Sequence, residues 1–219
     1  MTTALELCKN AYAETNPGQD LTSFSQQDWP YSLALGYLNK VISEMNVYSY
    51  KFMQKDTLLP YSPGTFIYDL SALGIDPGTI TKVQTNTSDG LAINIAKVVP
   101  INYDDYTSYY PSSLLQNIQP RFYATYGDDL YLNNAPQLDY QVHVYHLAEI
   151  PQMVSENDIF PVPMKYQHIF QDGVKCNLLM DLSRGDGLQK YQIWQSKIKD
   201  MAAKVETDYA LPTQLPRAF

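Results

Sequence analysis

PVPMKYQHIFQDGVKCNLLMD, residues 161–181, places two prolines before a run whose apolar side chains return at helical spacing. Proline is tolerated at the start of a helix, where its missing N–H has no partner to lose. The stretch therefore predicts a helix that continues to about Ser183, where RGDG at 184–187 interrupts it. A second helical stripe follows at Leu188, Tyr191, Trp194, Ile198, Met201 and Val205. We expect these two helices to pack antiparallel.

Two further helices are predicted near the start of the chain. Thr3 and Glu6 have the spacing of a capping box, and the first helix should stop at Asn16-Pro17-Gly18. A long amphipathic helix is expected next, between about 25 and 52. It has Ser25 or Asp28 as its cap, Pro30 in its first turn, and apolar side chains at Leu35, Leu38, Ile42, Met45 and Phe52.

From residue 57 the apolar period changes from helical to alternating, which is typical of strands. The segments with this alternation are TFIYDL, TITKVQT, LAINIAKVV and DYQVHVYHLAEI. Turn formers such as Asp76-Pro77-Gly78 and Ser88-Asp89-Gly90 separate them. RFYATYGDDLYL predicts a hairpin around Gly127. NYDDYTSYYPSSLLQNIQP predicts a tyrosine-rich loop with a helical turn. We expect five or six strands.

These patterns predict an α+β fold with one domain over 1–206. Helices from 1–56 and 162–206 should form a bundle, and 57–150 should be an inserted antiparallel β-region. An extended C-terminal arm, 207–219, completes the chain.

Composition limits the classes of function. The chain has 219 residues, 45% hydrophobic and 17% charged, which indicates a folded domain. Its net charge of −8 and the lack of a Lys/Arg stripe disfavour gripping of nucleic-acid phosphates. No apolar run approaches the roughly 20 residues of a membrane helix, and the start lacks an export leader, so we expect a soluble cytosolic chain. Nineteen tyrosines against seven phenylalanines favour interfaces.

His168, Asp172 and Cys176 lie four residues apart and so share one helix face. Residues eight apart on a helix are separated by about 12 Å, which prevents His168 from activating Cys176 directly. Asp172 would raise the thiol pKa, the wrong direction for a nucleophile. The set also lacks a third metal ligand within reach. A packing face with a solvated edge is the preferred interpretation, and Cys8 and Cys176 are expected to be free thiols.

Other polar pairs have structural explanations. His143 and His146 should point to opposite faces of a strand and cannot chelate together. Asp104-Asp105 and Asp128-Asp129 could serve as acid/base carboxylates, but turn residues explain both pairs more simply. RGD at 184–186 is best explained as a turn. No nucleotide-binding, zinc-protease or serine-hydrolase motif is present, and we predict no catalytic residue, cofactor or metal.

The C-terminal arm carries the candidate partner-binding residues. Its prolines extend the backbone in advance, which lowers the entropy cost of docking, and its apolar side chains can fill pockets on another chain. A frayed terminus is the alternative. The candidates are Tyr209, Leu211, Pro212, Leu215, Pro216, Arg217 and Phe219.

Several segments of the chain form a familiar layout: TALELCKNAY, YLNKVISEM, TFIYDLSAL and PRFYATYGDDLYL, and above all FPVPMKYQHIFQDGVKCNLLMDL followed by KYQIWQSKIKDMAAKV. This layout resembles the head-to-tail adaptor, or connector, proteins of tailed bacteriophages. It implies a non-enzymatic virion component, assembled in the host cytoplasm, that forms a ring under the portal with the portal's twelve-fold symmetry.

The same resemblance implies a role for each region of such a ring. The helices would form the ring wall, and the β-region would face the next tail or nozzle protein. The arm would dock on the portal protein, so that the ring extends the DNA channel. DNA would pass through the lumen without specific binding, and no membrane would be a partner.

Two rival hypotheses remain. One is a virion-associated glycan hydrolase that uses two of the carboxylates Asp104, Asp105, Asp128 and Asp129. The other is a different neck or tail role, such as a stopper or tube component.

Overall fold

The computed structural model describes residues 2–22, 24–25, 29–48, 50–60, 64–87, 95–109, 119–135, 140–182 and 186–208. The described chain mixes helices and strands, which confirms the α+β class. It divides into two compact units. The sheet unit is the continuous segment Gln54–Ala148, and the helical unit is built from the described chain on either side of it.

The helical unit contains four of the helices. These are α1 (Ala4–Thr15), α2 (Trp29–Met45), α4 (Met164–Asp181) and α5 (Gly187–Asp208). Helix α4 packs against the other three, and α1 also packs against α2. The predicted capping box is confirmed, because the Glu6 amide donates to the Thr3 hydroxyl and the Thr3 amide donates to the Glu6 carboxylate.

Helix α2 is shorter than its apolar stripe predicts. It ends at Met45, and Phe52 lies in a separate 3₁₀ turn, Lys51–Met53. Phe52 nevertheless packs on the helical core, with its ring stacked on those of Tyr50 and Tyr166. An apolar residue at helical spacing can therefore reach the core from a turn, which is why the stripe overstated the length of the helix.

Two asparagines on α2 hold the chain that returns from the sheet unit. Asn39 donates to the Met153 carbonyl and accepts from the Met153 amide, each at 2.8 Å. Asn46 makes the same pair of bonds with Ile150, each at 2.9 Å. These side chains satisfy backbone groups of a segment that has no strand partner of its own in the described chain.

Trp194 lies at the centre of the helical core. It is 1% exposed, and its indole N–H donates to the Ile169 carbonyl at 2.7 Å. A Cβ added at Gly173 would lie 2.6 Å from the indole and 2.8 Å from Val41. Gly173 is therefore required for the close approach of α4 to both α2 and α5.

The sheet unit is organised around seven strands. They are β1 (Gln54–Leu58), β2 (Ile67–Asp69), β3 (Ile80–Thr87), β4 (Ala96–Pro100), β5 (Phe122–Tyr126), β6 (Asp129–Leu132) and β7 (Tyr140–Leu147). Their order in the sheet is β1-β7-β3-β4-β5-β6-β2. The predicted hairpin is confirmed as β5–β6, with Gly127 at φ 57° in its turn.

Two features of the sheet differ from the sequence prediction. Strands β4 and β5 pair in parallel, so the inserted region is not purely antiparallel. Strand β1 was not predicted as a strand, because its QKDTL sequence lacks apolar alternation. It is an edge strand paired with β7 and mostly exposed, so it needs no buried stripe. The predicted tyrosine-rich loop with a helical turn contains a seven-residue helix, α3 (Tyr103–Tyr109).

The core of the sheet unit is formed by one face of the sheet. Val83, Val98 and Val144 lie directly opposite one another on β3, β4 and β7, and all are fully buried. Leu130 and Leu132 on β6 continue this core. Among the described helices, none has the length and apolarity to cross a membrane.

Candidate interaction surfaces

The His168, Asp172 and Cys176 set lies on one face of α4, as its spacing predicts. The carboxylate of Asp172 accepts a bond from Lys197 on α5 at 2.7 Å. Cys176 is buried, and its burial, followed by the charge of Asp172, raises the pKa of its thiol to about 11. Burial likewise raises the pKa of the Cys8 thiol to about 12. Both thiols are therefore protonated at neutral pH and unsuited to nucleophilic attack.

A groove runs between α4 and α5 and holds two cavities of about 190 and 270 Å³. Cys176 lines the first cavity and His168 lines the second. The lysines that line the groove include four that form ion pairs: Lys165 with Asp208, Lys175 with Glu14, Lys190 with Asp186, and Lys197 with Asp172. The groove is thus charge-compensated, which weakens it as a candidate site for an anion.

The two histidines of β7 lie on opposite faces of the sheet and have separate partners. Buried His146 bonds the Thr57 hydroxyl at 3.0 Å, and burial followed by the charge of Lys55 lowers the pKa of its imidazole. His143 bonds the Asp56 carboxylate at 2.9 Å. Among the described residues, no group of three histidine, cysteine or acidic side chains could hold a metal ion.

The adjacent carboxylates lie beside an aromatic cluster that the sequence did not reveal. Asp104 and Asp105 are in the first turn of α3, and Asp128 and Asp129 are at the tip of the β5–β6 hairpin. Tyr103 on α3 stacks on Tyr126 of β5, with ring centroids 4.4 Å apart and planes at 15°. Tyr103 also contacts the ring of Tyr131 on β6, at 5.0 Å.

The register of β2, β5 and β6 shows which of their side chains lie on the same side of the sheet. Residues directly opposite on paired strands project to the same side of a sheet. Asp69, Asp129 and Tyr126 form one such row across β2, β6 and β5. Ile67, Tyr131 and Ala124 form the next row. We name this surface the tyrosine–aspartate face: it comprises Ile67, Asp69, Tyr126, Asp129 and Tyr131 of these rows, with Tyr103 of α3 stacked on it and Asp128 in the adjoining turn.

Helix α3 is anchored to this face by a buried bond. The Tyr106 hydroxyl donates to the Leu132 carbonyl at 3.1 Å, and Ala124, which is 1% exposed, lies on the same side of the sheet. Partial burial, followed by a hydrogen bond with Tyr103 and the charge of Asp129, raises the pKa of Tyr131 to about 12. The Tyr131 hydroxyl therefore keeps its proton at neutral pH, whereas the pKa of the Asp69 carboxyl on the same face is lowered by hydrogen bonds from Ser71 and Ala72.

The C-terminal arm candidates Tyr209, Leu211, Pro212, Leu215, Pro216, Arg217 and Phe219 all lie outside the described residues. The structure does describe the point from which the arm departs. Helix α5 continues through Asp208, two residues beyond the predicted end. The Asp208 carboxylate accepts bonds from Lys165 and Tyr166, each at 2.7 Å. Of the RGD tripeptide only Asp186 is described, and it pairs with Lys190.

The described chain presents a charge-compensated groove and the tyrosine–aspartate face as its candidate surfaces. Residues 2–216 match the family model described as SU10 adaptor protein, and the chain belongs to this family of phage head-to-tail adaptors. The resemblance drawn from the sequence is thereby confirmed. The family has a structural role in the virion and is generally non-enzymatic. No curated protein matches the chain.

Proposed function

We propose that this adaptor assembles as a twelve-fold ring on the portal protein, extends the DNA channel and joins the portal to the next tail or nozzle protein. The family match over residues 2–216 is the observation that carries this proposal. In it, the helical unit forms the wall of the ring, and the C-terminal arm docks on portal subunits. DNA then leaves through the lumen during genome ejection.

The extent of the family match supports a role for the arm. The match continues through residue 216 and so includes most of the arm beyond α5. Proline at 212 and 216 lowers the entropy lost when the arm docks, and Leu211 and Leu215 supply apolar anchors. A segment of this kind binds by placing alternate side chains in pockets of its partner.

The root of the arm also supports docking. The paired bonds to Asp208 fix the end of α5 against α4, so the arm leaves from a defined point. A fixed root reduces the volume that the arm must search for its site. The acidic balance of the chain, −8 overall, favours passage of DNA without adhesion to the lumen.

Removal of residues 209–219 tests the docking role. This truncation keeps Asp208 and its bonds, so the helical unit should keep its stability. We expect the full chain to add a ring layer to purified portal in electron micrographs and the truncated chain to add none. Portal binding that is unchanged by the truncation would refute docking through the arm.

Point variants test which side chains of the arm bind the portal. Leu215→Ser removes an apolar anchor, and Gln214→Ser, its neighbour, removes a polar side chain of similar length. We expect Leu215→Ser to weaken portal binding by about tenfold, which corresponds to about 1.4 kcal/mol. Gln214→Ser should bind like the unmodified chain. Equal losses in both variants would contradict the assignment of the anchors.

A further inference from the structure

The tyrosine–aspartate face presents a rigid, partly exposed aromatic platform. Tyr126 is 63% exposed, although one side of its ring is stacked on Tyr103. The bond from Tyr106 to Leu132 holds α3 in place, which fixes the position of Tyr103. Because the stack is already formed, a planar group placed on it loses little entropy from reordering of the tyrosines.

The carboxylates beside this platform repel one another. Asp69 and Asp129 lie directly opposite on paired strands, an arrangement in which like charges destabilise a sheet. Hydrogen bonds from Ser71 and Ala72 lower the pKa of the Asp69 carboxyl, so that it stays ionised. Asp128 adds a third, exposed carboxylate in the adjoining turn.

The sheet unit does not neutralise this charge itself. Nine aspartates against three lysines and one arginine give the segment 54–148 a formal charge of −5. Within the described chain, no ion pair involves Asp69, Asp128 or Asp129. The arginine, Arg121, lies directly before β5, and the five residues from it to Tyr126 at the end of that strand correspond to about 16 Å of extended chain.

We propose that the tyrosine–aspartate face binds an arginine side chain of a partner protein. The planar guanidinium stacks on the Tyr126 ring, and its N–H groups donate to the carboxylates of Asp128 and Asp129. Arginine suits this face better than lysine, because it combines stacking on an aromatic ring with forked hydrogen bonding to carboxylates. A nucleic-acid phosphate would instead meet charge of the same sign. This inference rests on the sheet unit alone and is independent of docking by the arm.

Hexa-arginine amide is a suitable probe, and hexa-lysine amide is its charge-matched comparison. The full chain is titrated at low ionic strength by calorimetry, and backbone amide shifts are followed by NMR. We expect shifts at residues 103–108 and 126–131 and tighter binding of the arginine peptide. Shifts located in the helical unit, or no binding of the arginine peptide, would overturn the proposal.

Two matched pairs of variants separate stacking from charge. Tyr126→Phe keeps the ring and should bind the probe like the unmodified chain, whereas Tyr126→Leu should bind about two- to fivefold more weakly, the size of an exposed cation–π contact. Asp128→Asn should weaken binding, whereas Asp200→Asn, the same charge loss on exposed α5, should not. Equal effects within either pair would show non-specific attraction and refute the site.

Discussion

The helical unit and the sheet unit differ in how their charged side chains are paired. In the helical unit, five described ion pairs join a lysine to a carboxylate. In the sheet unit, the close carboxylate contact among the described residues is that of Asp56 with the His143 imidazole, and no described lysine or arginine pairs with the tyrosine–aspartate face. The helical unit also has the larger core, with more than twice as many buried apolar residues among those described.

This contrast indicates that the two units have different roles. The helical unit meets most of its electrostatic and packing requirements internally, which suits a scaffold. The sheet unit leaves like charges opposed on one face, which is a local cost in stability that a partner can offset. Substitutions in each unit test this distinction.

The largest effect is expected at the centre of the helical unit. Trp194→Ala removes a fully packed indole and its bond to Ile169, and should lower the free energy of unfolding by about 3–5 kcal/mol. Chemical denaturation followed by circular dichroism measures the loss. Trp194→Phe, which keeps a six-membered aromatic ring in the core, should lower the free energy of unfolding by less. A loss below about 1 kcal/mol for the alanine variant would contradict the central role of this residue.

A slightly smaller effect is expected in the core of the sheet unit. Leu130 is fully buried, and Leu130→Ala should cost about 2–4 kcal/mol because it leaves a cavity. If the unit is held by its own smaller core, hydrogen exchange should accelerate most in β5 and β6. Leu130→Met, which conserves volume, is the control and should cost less than about 1.5 kcal/mol. Faster exchange confined to α4 and α5 would contradict a separate sheet core.

The asparagine bonds should give an intermediate effect. Asn46→Ala leaves the backbone amide and carbonyl of buried Ile150 without their partners, which should cost about 2 kcal/mol. Thermal unfolding measures it, and Asn39→Ala should behave alike. Ser43 lies between them on the exposed side of α2, and Ser43→Ala removes solvent-exposed bonds such as that from the Gln152 side chain, so it should change stability by less than about 0.5 kcal/mol. Similar losses in all three variants would indicate a general helix effect instead.

The smallest effect on stability is expected at the half-exposed pair of Asp172 and Lys197. Asp172→Asn should cost at most about 1 kcal/mol, because solvent screens such pairs. It should also lower the pKa of the Cys176 thiol below about 11, since Asp172 contributes to raising it. Alkylation of Cys176 followed against pH should then show its inflection at lower pH. An unchanged inflection would mean that the carboxylate does not act on the thiol.

The same thiol predicts how stability depends on alkaline pH. The folded thiol holds a proton that an unfolded cysteine releases near its ordinary pKa of 9.0. Its contribution to stability is therefore fully present below pH 9 and is lost as pH rises towards 11. Replacement of Cys176 by alanine should reduce the slope of stability against pH over this window.

Features carried by local sequence could be predicted. The capping box at Thr3, the helices on either side of RGDG and the hairpin turn at Gly127 each depend on residues within a few positions of one another. The interpretation of His168, Asp172 and Cys176 as one helix face also follows from spacing alone. The family resemblance rested on the order of these same elements.

Features set by distant residues could not be predicted. The asparagine bonds join residues more than a hundred positions apart, and a polar side chain on a helix is ordinarily expected to face water. The polar edge strand β1 is specified by its pairing with β7 and not by an apolar pattern. The tyrosine–aspartate face likewise depends on the register of three strands, which no single strand determines.

The parallel pairing of β4 and β5 has a consequence for how this protein can change over evolution. Parallel neighbours require the chain to cross from one end of the sheet to the other, and the crossover from Pro100 to Phe122 carries α3. A change in the length of this crossover can leave the strands in register and still alter the side chains that α3 adds to the tyrosine–aspartate face. Partner preference can thus diverge between relatives through this one connection, with the sheet beneath it unchanged.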